Sequence, residues 1–209
     1  MLALLLKRLR SARQIRHCVV ATSTDEIDDA IETLASQLGF ECHRGSREDV
    51  VARIAGAVDG YRGAIVRITG DCPLIDPEIV DEVVALFHDT PDCAYASNVE
   101  PRTYPDGLDV EVVSPEALAA TDAEATDAYD REHVTAFVRA RPQRFPAAAL
   151  VNDEDLGELR WTVDTAEDLE FVRRLIRRLG SRRYTARMLE ILEAIRATPS
   201  LAEFGGRRG

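Results

Sequence analysis

Lysine is almost missing from this chain. Of its 26 basic residues only Lys7 is lysine, which leaves 25 arginines. Schiff-base or lysine-nucleophile chemistry would rest on that one side chain, in a basic first helix. Cysteine is sparse too. Cys18, Cys42, Cys72 and Cys93 show neither metal-ligand spacing nor the density of a small secreted framework, so they read as reduced, mostly packed thiols. A Walker-type phosphate loop is absent. No apolar run approaches the roughly 18–20 residues of a membrane span. The opening run Met1–Leu6 stops at Lys7, and its basic residues follow it, unlike those of a signal peptide. A cytoplasmic protein with no membrane partner is expected. Basic residues are also outnumbered, 26 against 37 acidic, for a net charge of −11. Polyanions bind through basic surfaces, so nucleic acid is not an expected partner.

What remains is an ordinary globular composition, 45% hydrophobic over 209 residues, without repeat or long linker. Such a chain forms one domain that buries about 70% of its unfolded surface. Short β-branched runs alternate with helical stretches. Strands are predicted at Cys18–Thr22, Phe40–Arg44, Ala64–Thr69, Cys93–Asn98, Leu108–Ser114, Ala147–Val151 and Leu159–Val163. Helices are predicted at Leu2–Ala12, Asp25–Leu38, Glu48–Val58, Pro77–Phe87, Pro115–Ala123, Arg131–Ala140, Ala166–Leu179 and Thr185–Arg196. Thr24, Ser46, Asp76 and Thr165 stand where helix caps belong, and Gly39 and Gly180 where helices stop. The alternation predicts an α/β fold with a mixed, mostly parallel sheet covered by helices. The arginines of the first helix and of Arg173–Arg183 read as solvated faces.

Chemistry points to the strand ends. In "VRITGDCPLIDP" (Val66–Pro77) an apolar strand ends, Gly70 lets the chain turn, and Asp71 follows. In "LRWTVDTAEDLEFV" (Leu159–Val172) another strand ends on Asp164, with Thr165 as the better helix cap. Ligands of open α/β sheets gather beyond strand carboxyl ends. Two carboxylates there can share one Mg²⁺, which takes one or two protein carboxylates plus substrate phosphates; Asp71 can equally cap a turn. In "TYPDGLDVEV" (Thr103–Val112), Leu108, Val110 and Val112 share one face, and Asp109 and Glu111 the other. Those acids can bond sugar hydroxyls or simply face water. His133, opening a helix in "YDREHVTAFVRARP", can bind substrate or lie exposed.

Taken in order, "VVATSTDEIDDAI", "RGSREDVVAR", "VRITGDCPLIDPEIVDEV", "TYPDGLDVEV", "REHVT", "NDEDLGELRWTVDTAEDLEFV" and "YTARMLEILEAIRATPSLAEF" resemble cytidylyltransferases of the spore-coat polysaccharide biosynthesis protein F type. Those are related to acylneuraminate and 3-deoxy-manno-octulosonate cytidylyltransferases. The resemblance implies a Rossmann-like three-layer α/β/α nucleotide-diphospho-sugar transferase fold over residues 1–209, with 182–209 a C-terminal helical segment. It implies cytidylyl transfer from CTP to an acidic or modified sugar for surface polysaccharide. Asp71 and Asp164 fall on its Mg²⁺ positions. Thr22, Ser23, Gly45, Ser46 and Arg67 fall where nucleotide is held, and Asp109, Glu111 and His133 lie towards the sugar. Related synthetases are often dimers, so a homodimer is a further expectation. In the family a first strand and a Gly-rich triphosphate loop precede the region where this chain begins, so the chain is expected to lack both. Two alternatives stay open. One is a nucleotide-sugar glycosyltransferase of the same fold, its acids found at Asp153–Asp155 or Asp28–Asp29. The other is a non-catalytic partner subunit.

Overall fold

The computed structural model describes residues 1–202. The element order is α1 (Leu2–Leu9), β1 (Val19–Ser23), α2 (Asp29–Gln37), β2 (Glu41–Gly45), α3 (Val50–Ala57), β3 (Ile65–Arg67), α4 (Pro77–Asp89), β4 (Tyr95–Ser97) and β5 (Glu111–Val113). There follow α5 (Pro115–Glu124), α6 (Ala128–His133), α7 (Ala136–Arg139), β6 (Ala147–Ala149), α8 (Ala166–Leu179), α9 (Met188–Arg196) and α10 (Pro199–Ala202). The α/β alternation expected from the sequence is present, with strand ends shifted by one to three residues.

The strands fall into two sheets, a parallel pair β1-β2 and a four-stranded sheet in the order β3-β5-β4-β6. The second is mixed: β5 runs antiparallel to both β3 and β4, and β4 runs parallel to β6. Among the described residues no ladder joins β1 to β3. Helices bridge the division instead. Val51 of α3 is fully buried and belongs to one cluster with Ile65 of β3 and Tyr95 of β4. On the other side Val20 of β1 and Val66 of β3 pack on one larger core running from Leu5 to Leu201.

Two expectations need correction. Leu159–Val163 forms no ladder strand; it makes an isolated parallel bridge, Asp106 with Arg160. It bonds to Asp106 through Leu159 and Trp161 and to Asp71 through Val163, and its Trp161 is fully buried. The predicted helix Arg131–Ala140 is two short helices parted at Val134.

The basic face of α1 is not all solvated. Arg8 is completely buried and donates to the carbonyls of Ile75 (2.7 Å), Arg183 (2.8 Å) and Ala186 (2.6 Å). Burial lowers its pKa to about 10, offset in part by Asp76, so the guanidinium stays charged at neutral pH. Asp76 itself, 2% exposed, caps α4 through the Glu78 N–H. It also accepts from the Met188 N–H (2.6 Å) and from Arg187 (3.0 Å). One carboxylate thereby joins the starts of two helices 112 positions apart. Asp76→Ala would strand these donors, and a loss of about 3 kcal/mol in denaturant unfolding is expected. An unchanged midpoint would refute this role.

Candidate active site

The carboxyl end of β3 opens into a cavity of about 170 Å³. Arg67 and Thr69 reach it from β3 and its exit, Asp109 and Glu111 from the antiparallel neighbour, and His133 from the end of α6. The alternation read in the sequence explains the placement. Leu108, Val110 and Val112 are buried without exposed surface, so the intervening acids must face the other way.

Neither acid is free. Glu111, 6% exposed, accepts from Arg67, from the Tyr95 hydroxyl (2.7 Å) and from the Thr135 hydroxyl (2.5 Å). Burial, with Glu111 adding, raises the Tyr95 phenol far above its usual value, so Tyr95 is a permanent donor. Asp109 holds Arg102 through two parallel bonds of 2.7 and 2.8 Å. Its side chain still lines the cavity, with lone pairs left for a ligand hydroxyl.

Asp71 and Asp164 stand on neighbouring backbones, since the Val163 N–H donates to the Asp71 carbonyl at 3.0 Å. The Asp71 carboxylate accepts from the Thr69 hydroxyl, and Thr69 is itself a cavity wall. Asp164 is about half exposed and accepts from Arg160 (2.5 Å) and Thr162 (3.1 Å). Thr165 caps α8 in a capping box with Asp168, which releases Asp164 from capping as its sequence position suggested. Among the described residues no group of three or more His, Cys, Asp or Glu side chains gathers for a metal. Two hard carboxylates remain, the donor set that suits Mg²⁺ completed by water and phosphate and that suits zinc poorly. Cys72 adds no thiolate, because burial pushes its thiol far up, helped by Asp71.

The remaining candidates lie on the other sheet. The Thr22 and Ser23 hydroxyls both donate to Asp28 Oδ2, at 2.8 and 2.6 Å. These bonds, Ser23 foremost, hold the Asp28 carboxyl below its ordinary value. Ser46 accepts from the Asp49 N–H (3.0 Å). At Gly45 an added Cβ would meet Arg53 Cγ at 2.9 Å, so glycine lets α3 approach β2. Arg53 donates to the Ser46 carbonyl at 2.6 Å, and its buried Nε has no partner. The cavity thus brings together Arg67, Asp109, Glu111 and His133; Asp71 and Asp164 do not line it, and Asp71 approaches it only through its bond with the wall residue Thr69. Thr22, Ser23, Gly45 and Ser46 do not line it.

Sequence reading missed Arg102, Tyr129, Thr135 and Arg139. Tyr129 and His133 are four apart on α6 and pack edge to face at 4.2 Å, a spacing legible in hindsight. Three of the four acids considered for a glycosyltransferase are engaged: Asp28 by Thr22 and Ser23, Asp29 by Arg44, and Asp155 by the Gly157 N–H.

Similarity to known proteins bears on this arrangement. A family model described as cytidylyltransferase matches residues 1–203. The spore coat polysaccharide biosynthesis protein SpsF of Bacillus subtilis is 33% identical over 169 residues, 78% of this chain and 68% of that protein. A solved cytidylyltransferase from Leptospira borgpetersenii is 32% identical with a TM-score of 0.90, covering 96% of this chain and 84% of that one. A CMP-2-keto-3-deoxy-manno-octonic acid synthetase solved with CTP shares the fold at 14% identity, with a TM-score of 0.62 over 84% of this chain and 87% of the other.

Replacing Glu111 by Ala would leave Arg67, Tyr95 and Thr135 without their shared acceptor. A loss of about 3–5 kcal/mol in stability is expected, measurable by chemical denaturation. A loss under 1 kcal/mol would show that Glu111 is not the organising group.

Proposed function

The chain belongs to the cytidylyltransferase family, and from that premise we propose that it transfers a cytidylyl group from CTP to a hydroxyl of an acidic or modified sugar, releasing pyrophosphate, in the cytoplasm. The observation that supports this reading is the backbone bond from Val163 to Asp71, which puts the segments carrying Asp71 and Asp164 next to each other at the exit of β3, whose Thr69 is a wall of the polar cavity. The acceptor sits in the cavity, where the free lone pairs of Asp109 and the ring nitrogens of His133 orient its hydroxyls. The nucleotide lies between the ends of β1 and β3, within reach of Arg53 and Arg67. Phosphoryl-type transfer asks for alignment and charge neutralisation more than for a protein nucleophile. The neutral Cys72 and the hydrogen-bonded Thr69 are consistent with that. Asp71 and Asp164 would hold Mg²⁺, which when bound neutralises charge on the phosphate oxygens. For Asp164 to take part, its bond to Arg160 must open, and the guanidinium can then turn to Asp168, which it already holds at 2.8 Å.

The test is titration calorimetry of CTP with and without Mg²⁺, alongside pyrophosphate release. CTP binding is expected to tighten at least tenfold with Mg²⁺. Asp71→Ala and Asp164→Ala are each expected to erase that gain and to lower turnover at least a hundredfold. CTP binding indifferent to the metal and to both substitutions would overturn the assignment.

A further inference from the structure

Charge is distributed unevenly along this chain. Residues 1–24 and 171–187 hold twelve of the 26 basic residues and none of the 37 acids, so the remaining fourteen face every acid. The fold joins the two acid-free segments. Arg8 of α1 reaches the carbonyls of Arg183 and Ala186. Lys7 lies 5.3 Å from the centre of the Tyr184 ring, and the Arg183 guanidinium 4.4 Å from it. The hydrogen bond from Arg183, with the charge of both cations, holds the Tyr184 phenol below its ordinary value.

The arginines of α8 face outward for a plain reason. Phe171, Val172, Leu175 and Leu179 are buried on one side of the helix. At about 100° per residue Arg173 and Arg177 then project from the opposite side, with Arg178 on its flank. All three are exposed, as is Arg182 beyond the helix end. The helix dipole favours cations in the last turn and accounts for Arg177 and Arg178. It does not account for the like-charge pairs Arg173–Arg177 and Arg174–Arg178, which at a spacing of four cost stability.

Acids answer only part of this face. Glu170 holds Arg174 at 3.0 Å, and Glu190 holds Arg182 at 3.1 Å. Among the described residues Lys7, Arg173, Arg178 and Arg183 enter no ion pair. Leu189, 65% exposed, directly precedes Glu190 and so stands beside Arg182. Cations around a projecting leucine and a half-buried tyrosine suit the boundary between lipid headgroups and acyl chains. A nucleic acid would use the charges but gain nothing from Leu189, and a long polyanion would meet the acidic remainder of the surface. A bilayer touches one face only, and salt screens acids more than about 8–10 Å away.

We infer that Lys7, the outward arginines of α8, Arg182, Arg183 and Leu189 form a face that docks on the phosphate headgroups of an anionic lipid bilayer. The contact is peripheral, since among the described residues no helix is long and apolar enough to cross a membrane. None of these side chains lines the cavity, so the surface is separate from the candidate active site and does not depend on the transfer reaction.

The experiment is co-sedimentation of the full chain with vesicles of phosphatidylglycerol and phosphatidylcholine in equal parts, against phosphatidylcholine alone. Binding is expected on the anionic vesicles only, weakening as salt is raised. Arg173→Gln, Arg177→Gln and Arg178→Gln combined should weaken it by about a hundredfold. The same three positions changed to Lys, which keep the charge, should retain most of it. Leu189→Ser should weaken it by about fivefold. Duplex DNA of random sequence serves as the competing polyanion. It should bind at least tenfold more weakly, with no response to Leu189→Ser. Equal binding to both vesicle types, or binding indifferent to the triple Gln variant, would overturn the inference. So would DNA binding tighter than that to anionic vesicles.

Discussion

A carboxylate in an apolar interior is tolerated only when paired and hydrogen-bonded, and the buried side chain of Glu111 imposes that condition on everything around it. Its three donors come from three places: Arg67 on β3, Tyr95 on β4, and Thr135 in the turn between α6 and α7. Glu111 lies opposite Arg67 in one ladder and opposite Ser97 in the other. A slip of one residue in β5 would carry the charge into the core that Val110 and Val112 occupy. The interaction therefore sets register in the sheet and, through Thr135, the position of the cavity wall.

The same logic operates between the two sheets. Arg131, on the helix that carries Tyr129 and His133, donates to Asp49 at 2.9 and 2.6 Å. Asp49 is also the cap of α3, the helix whose Arg53 packs against Gly45 of β2 and donates to the Ser46 carbonyl at 2.6 Å. The elements assigned to the nucleotide and to the acceptor are thus tied by one arginine as well as by the shared core. Movement of α3 on nucleotide arrival would be felt at α6.

Much of this was legible in the residues themselves. The strand–Gly–Asp and strand–Asp–Thr runs placed Asp71 and Asp164 on strand-like exits, and the Val163–Asp71 backbone bond makes their segments neighbours. The period-two pattern of Leu108–Val112 correctly turned Asp109 and Glu111 to one face. Pattern fails where a long-range partner decides. Nothing local told Glu111, buried under three donors, from Asp109, which keeps cavity exposure. The apolar periodicity of Arg131–Ala140 describes a helix well, and the break at Val134 comes from Thr135 reaching a carboxylate 24 residues away. Arg8 lies in a run of charges that resembles a solvated face, yet carbonyls 67 to 178 residues distant claim it.

The near-exclusive use of arginine acquires a physical sense here. A lysine ammonium is a compact point charge, whereas a guanidinium can grip both oxygens of a carboxylate and still offer another edge. Arg102 grips Asp109 in this way, Arg131 grips Asp49, and Arg160 spans Asp164 and Asp168. With its acids so matched, the site offers an incoming ligand few unbalanced charges. At Asp164 any cation would have to compete with Arg160. Arg53 and Arg139 each keep a buried Nε without a hydrogen-bond partner, so even in this matched set two guanidinium groups are incompletely satisfied.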